Sequence, residues 1–255
     1  MVKLLFIYGV FIFSFFSIQA QSVVKPKTGG YWLSYMGDNK INKHIGLHTE
    51  AQLRNIFIDE SVETKLFRFG LNYYFQPNAI LTAGYAFIAN FPNEDYLDAS
   101  RVIENRIWQQ VLVRHKSRVL FMEHRYRLEQ RFLNNQTNGT YNIENRFRYR
   151  FQAIFPFYTL SPKLRHVFLL ANNEIMINFK KDPSLIFDRN RLSAGLGYQI
   201  SPKFNLQFTY LNQYAQVPNN PIARVEHYFV LGINYNMDDL MPTLFKKRNS
   251  SSKKK

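Results

Sequence analysis

RVLFMEHRYRLEQRF, residues 118–132, separates into two faces when every second residue is taken. One face carries Val119, Phe121, Glu123, Arg125, Arg127, Glu129 and Arg131; the other carries Leu120, Met122, His124, Tyr126, Leu128, Gln130 and Phe132. A period of two is that of a β-strand, whose side chains point alternately to opposite sides. The charged face requires water, and the mostly apolar face requires a core or lipid. The segments on either side repeat the pattern. Glu104, Arg106, Gln110 and Arg114 alternate with Ile103, Ile107, Val111 and Val113, and Glu144, Arg146, Arg148, Arg150 and Gln152 alternate with Ile143, Phe147, Tyr149, Phe151 and Ala153. Successive strands of this kind describe the wall of a membrane-spanning β-barrel with a charged lumen.

The bulk composition agrees with that wall. Aromatic residues make up 16% of the 255-residue chain, with 24 Phe and 16 Tyr, while mean hydropathy is only −0.30. Alternation keeps mean hydropathy low in a barrel, whereas a helical membrane protein would show runs of about 20 apolar residues. Cysteine is absent, so neither disulfides nor thiolate metal sites hold the fold. The formal net charge is +15. Without Lys3 and the six basic residues of the tail Lys246–Lys255, 26 Lys and Arg remain against 18 Asp and Glu, a net +8 spread along the chain. An exported location would remove nucleic acid as a partner for that charge.

Taken in order, residues 1–20 read as a secretory signal: Lys3, an apolar run from Leu4 to Ile18, and a cut after Ala20. Residues 21–237 are expected to form one barrel, and 238–255 a basic, disordered tail. Strand-like runs fall near 29–39, 43–56, 64–76, 79–91, 102–115, 117–132, 141–156, 163–179, 186–200, 203–217 and 224–237. Short breakers at Gln76-Pro77-Asn78, His115-Lys116-Ser117, Leu160-Ser161-Pro162-Lys163 and Ser201-Pro202-Lys203 alternate with longer polar loops. Short turns on one side and longer loops on the other are the outer-membrane arrangement. Eleven runs are one short of an even number, so a further short strand around Ser22 to Lys27 is expected. The fold class is thus an all-β, single up-and-down antiparallel transmembrane β-barrel of about twelve strands, with ten as the fallback.

The chain resembles a family of Gram-negative outer-membrane-type proteins known as a domain of unknown function, number 2490. The resemblance rests on Trp32, Glu104-Asn105-Arg106, Glu123-His124-Arg125, Glu144-Asn145-Arg146-Phe147-Arg148-Tyr149-Arg150, Asn173-Glu174, Phe187-Asp188-Arg189-Asn190-Arg191 and Gly195-Leu196-Gly197-Tyr198. It implies a fold and an outer-membrane location and brings no activity with it.

The candidate functional feature is the charge ladder formed by Glu104, Arg106, Arg114, Glu123, Arg125, Arg127, Glu129, Arg131, Glu144, Arg146, Arg148 and Arg150. Two uses are open to it. Opposite charges on adjacent strands would pair and fill a narrow lumen, or the arginine excess would line a passage for small anionic solutes. The expected function is therefore a non-enzymatic structural or passive-transport barrel surrounded by outer-membrane lipid, with no cofactor or metal. The alternative is a lipid-modifying hydrolase at the barrel rim, for which His115-Lys116-Ser117 is the only His-x-Ser. His44, His48 and Glu50 share a strand face and are read as solvated; Asp182, Asp188 and Asn190 lack calcium-loop spacing. Aromatic residues near the run ends, including Tyr31, Trp32, Tyr35, Tyr73, Tyr74, Phe75, Phe155, Phe157, Tyr158, Tyr198, Tyr210 and Tyr214, are assigned to interfacial girdles.

Overall fold

The computed structural model describes residues 24–26, 29–56, 62–91, 101–117, 119–179, 187–216 and 223–236. The expected signal, the basic tail, Asp182 and most of the longer loops lie outside the described residues. The strands are β1 (Val24–Pro26), β2 (Gly30–Lys40), β3 (Ile45–Ile56), β4 (Val62–Gln76), β5 (Ala79–Asn90), β6 (Val102–Lys116), β7 (Phe121–Asn135), β8 (Tyr141–Pro156), β9 (Val167–Phe179), β10 (Phe187–Ser201), β11 (Phe204–Gln216) and β12 (Ala223–Asn236). Each strand from β2 to β12 pairs antiparallel with the next, and β12 pairs with β2 to close the cylinder.

Closure is parallel, with Tyr228 opposite Gly30 and Asn236 opposite Asp38. Geometry requires this: when neighbours alternate in direction, an odd number of wall strands brings the first and last together pointing the same way. The short β1 also runs parallel to β12, with Val24 opposite Ala223. It extends the seam ahead of β2, in the region where the sequence called for an extra short strand. Among the described residues twelve strands are therefore present, eleven of them forming the wall.

Two turns are set by proline. Pro77-Asn78 joins β4 to β5 and Pro202-Lys203 joins β10 to β11, each beside a register shift at the strand ends. Proline fixes φ and offers no N–H, so it ends the ladder there. The β8–β9 connection departs from the simple alternation of lengths. Two short 3₁₀ turns, Phe157–Thr159 and Pro162–Leu164, occupy it, so β9 starts at Val167 rather than near 163. On the opposite end the β7–β8 ladder zips up as far as Asn134 and Tyr141, shortening the loop expected from Leu133 to Thr140.

The barrel is apolar outside and polar inside, as the alternation predicts. Leu53, Phe67, Phe69, Leu71, Phe87, Leu128, Leu192, Leu196, Phe208 and Leu231 are exposed on the outer surface, while Glu50, Arg68, Glu104, Arg127, Glu129 and Glu174 are buried. A closed barrel satisfies every wall backbone group within the protein, which is what a lipid surround demands. Phe69 sits halfway along β4 and is 44% exposed. Phe69→Arg is expected to cost about 2–4 kcal/mol in a lipid bilayer, read as a lowered urea midpoint; an unchanged midpoint would mean this surface does not meet hydrocarbon.

The girdle assignment holds for some aromatics and fails for two. Tyr73, Phe75 and Tyr198 are exposed near the short-turn end. Trp32 and Tyr74 instead point inward, at 6% and 8% exposure. Trp32 packs against Tyr228, with ring centroids 4.9 Å apart. The lumen is also not uniformly polar. Tyr74, Ile80 and Leu112 form one inward apolar cluster, and Phe168 and Leu170 with Phe121 and Ile154 form another, toward the short-turn end.

Candidate functional site: an arginine-rich lumen

Inward positions on β6, β7 and β8 bring the predicted ladder together. Register sets Glu129 opposite Trp108 and Arg146, Arg131 opposite Arg106 and Glu144, and Glu123 opposite Arg114 and Gln152. It also sets like charges face to face, Arg125 against Arg150 and Arg127 against Arg148, which on neighbouring strands is unfavourable. Pairing between adjacent strands therefore explains only part of the network. The remaining acids reach across from other strands.

Glu129 is fully buried and forms the hub. Its Oε2 accepts from Arg146 Nη2 at 2.6 Å and its Oε1 from Arg148 Nη1 at 2.9 Å. Arg106 lies 3.4 Å away, and Arg68 and Arg127 each 3.8 Å away. Glu174 on β9 takes Arg125 at 2.5 Å and Arg148 at 2.8 Å, with Arg191 at 3.9 Å. Glu50 on β3 pairs with Arg68. At the level of these three glutamates stand seven arginines: 68, 106, 125, 127, 146, 148 and 191.

Nearer the long-loop end, Glu104 holds Arg106 and, at 2.6 Å, Arg131, which also reaches Glu144 at 2.8 Å. Asp188 takes Arg146 at 2.8 Å and Arg189 at 3.3 Å. Nearer the short-turn end, Glu123 binds Arg150 and, at 3.3 Å, Arg114. All twelve predicted ladder residues thus take part in interior ion pairs.

Three arginines make their close hydrogen bonds to neutral amides. Arg54 donates to Gln52 at 2.8 Å, Arg127 to Gln110 at 2.7 Å and 3.0 Å, and Arg191 to Gln213 at 2.6 Å. Each also lies on one of the chain's two tryptophans. Arg54 and Arg191 stand 4.1 Å and 4.9 Å from the Trp32 ring, and Arg127 stands 4.8 Å from that of Trp108. An aromatic face attracts a cation without neutralising it, and for Arg127 and Arg191 the carboxylates of Glu129 and Glu174 stand off at 3.8 Å and 3.9 Å. The three arginines border a cavity of about 1040 Å³ lined from Lys43, Asn78 and Lys116 at the short-turn end to Asn90 and Arg189 at the other.

Trp108 is fully buried and rests where β4 and β5 carry Gly70 opposite Gly84. A Cβ on Gly70 would stand 2.9 Å from the Trp108 ring, and one on Gly84 would stand 2.6 Å from Gly70 Cα and run into the Phe69 carbonyl. The missing side chains make the seat for the indole.

The face of His48 and Glu50 is enclosed rather than solvated, because it points into the lumen. His48 Nδ1 is 2.8 Å from Asp38 Oδ1, and its Nε2 is 3.8 Å from Glu50. His44 is exposed in the β2–β3 turn. Among the described residues, no group of three or more His, Asp and Glu is placed to hold a metal. His115 and Ser117 lie exposed where β6 ends, and the Ser117 N–H closes the turn onto Leu120 O at 2.8 Å.

The family model described as "Protein of unknown function (DUF2490)" matches residues 29–224. The chain belongs to this family. No curated protein matches it in sequence. Among solved structures it is similar to the NanC porin in a rhombohedral crystal form, at 11% sequence identity and a TM-score of 0.49, over 81% of this chain and 97% of that one. The part matched by the DUF2490 model starts just before β2 and ends at the second residue of β12, so it contains the entire ladder. The same span holds Asp38, Glu50, Arg68, Trp108, Glu174 and Arg191, which complete the network.

Proposed function

We propose that this DUF2490 protein is an outer-membrane barrel that passively admits small anions through its lumen and performs no catalysis. The apolar exterior supports a lipid surround, and the apolar run Leu4–Ile18, followed by a cut after Ala20, supports export. The observation that carries the reading is the surplus of arginine along the cavity, above all Arg54, Arg127 and Arg191 on their glutamines. Charged side chains lining a pore select for ions of opposite sign. Fixed acids such as Glu129 and Glu174 hold the other arginines in place and so set the shape of the passage.

Flux into liposomes carrying the folded chain tests this directly. Small monovalent anions are expected to enter several-fold faster than cations of matched size, as lining charge of one sign would impose. Arg127→Gln should reduce that ratio. Equal rates, or faster cations, would overturn the proposal.

A further inference from the structure

We propose that the mid-height lumen holds a discrete oxyanion site, for a phosphate or carboxylate group, formed by Arg68, Arg125 and Arg127. The inference rests on the anion-admitting reading above and names where along the lumen an anion stops. Arg68, Arg125 and Arg127 are at least nine-tenths buried and line the cavity. Each keeps one N–H without a protein acceptor: Nε of Arg68, Nε of Arg125 and Nη1 of Arg127. Buried polar hydrogens are rarely left so, because an unmade bond costs more than a made one contributes.

The three side chains belong to one neighbourhood. Arg68 and Arg127 both face the Trp108 ring, at 5.5 Å and 4.8 Å, and both stand 3.8 Å from the same Glu129 oxygen. Arg125 lies two residues from Arg127 on the same face of β7, about 7 Å along the strand. The local charge balance points the same way: seven arginines stand at the level of Glu50, Glu129 and Glu174, and of the seven Arg106 and Arg146 also pair with Glu104 and Asp188, which leaves positive charge in excess. A multiply bonding oxyanion supplies the missing acceptors and the missing charge together, and guanidinium groups suit oxyanion geometry. Arg68 and Arg125 are held from behind by Glu50 and Glu174, and Arg127 by Gln110. The donors are therefore positioned before any anion arrives.

Trp108 reports on the site, since Arg127 lies on its ring. In a Trp32→Phe variant it is the sole tryptophan, and its fluorescence can be titrated with inorganic phosphate, with acetate, and with chloride at matched ionic strength. A saturable change with phosphate or acetate at concentrations where chloride has no comparable effect is expected, and which of the two binds tighter identifies the preferred headgroup. Adding Arg127→Gln should weaken that binding about tenfold or more, as losing a charge-assisted bond would. Adding Lys203→Gln, in the exposed β10–β11 turn, should leave it unchanged. Folding of each variant is checked by its heat-modifiable migration in gels. No saturable change in folded protein, an equal response to chloride, or undiminished binding in the Arg127→Gln variant would each overturn the site. Anion-biased flux without saturable binding would overturn this site while leaving the proposed function standing, and binding without flux would do the reverse.

Discussion

Glu129→Gln is expected to cost the folded barrel about 3–5 kcal/mol, the range for stripping one partner from a buried ionic cluster. The carboxylate is fully buried, accepts three hydrogen bonds of 3.0 Å or less from Arg146 and Arg148, and has Arg106, Arg68 and Arg127 within 4 Å. A neutral amide keeps the volume but loses the charge. Its NH₂ group would also face guanidinium donors that have no acceptor to offer. The matched control is Glu144→Gln near the long-loop rim, where the acid is partly exposed and holds Arg131 at 2.8 Å. There the loss should be about 0–1 kcal/mol. Urea titration of both variants, scored by heat-modifiable migration, should show a large fall in midpoint for Glu129→Gln and little change for Glu144→Gln. Equal shifts would mean that Glu129 is not the hub.

Trp108→Ala should be comparably damaging, at about 3–5 kcal/mol, the usual range for deleting a large buried aromatic. The indole fills the space above Gly70 and Gly84, with Arg127 and Arg68 over its ring and His48 edge-on at 5.4 Å. Removing it opens a void between β4, β5 and β6 and leaves two guanidinium groups without their platform. Trp108→Phe retains most of the packing and should cost clearly less. The complementary change, Gly84→Ala, pushes a methyl group into the backbone of β4 and should cost about 1–3 kcal/mol through overpacking. Ala at Gly232, where the nearest atom would be 3.3 Å away, should be far milder. A chevron or urea series placing Trp108→Ala no lower than Trp108→Phe would contradict this account of the seat.

Much of this architecture is legible in the sequence because a barrel wall writes itself as alternation. The inward placement of Arg125, Arg127, Glu129, Arg146 and Arg148 follows from period two alone. An aromatic near a strand end suits either face, so the sequence alone places Trp32 and Tyr74 in the girdles. Their inward direction emerges only once the neighbours Ser34 and Asn72 fix the polar side. The inward apolar clusters around Ile80, Leu112, Phe168 and Leu170 escape for a related reason. Where both faces are apolar, alternation carries no contrast. Trp108, between Arg106 and Gln110, is signalled in the sequence only as an aromatic on a charged face.

The long-range acids are the least legible part. Glu174 and Arg125 sit two strands apart, as do Asp188 and Arg146, while Glu129 and Arg68 are three strands apart. Their meeting depends on the curvature and closure of the wall, which no local pattern encodes. Likewise the eleven long runs of the sequence match the eleven wall strands and the short β1 makes the twelfth, but the parallel seam follows only from closing an odd wall.

The claim on which the account turns is that the lumen carries net positive charge where solutes pass. Its most direct test is the reversal potential of the folded chain, residues 21–255, in a planar bilayer under a potassium chloride gradient. The account predicts discrete channels whose reversal potential has the sign of the chloride equilibrium potential and moves toward zero when Arg54, Arg127 and Arg191 are replaced by glutamine. A reversal potential at zero or of the potassium sign in the unaltered protein would contradict it.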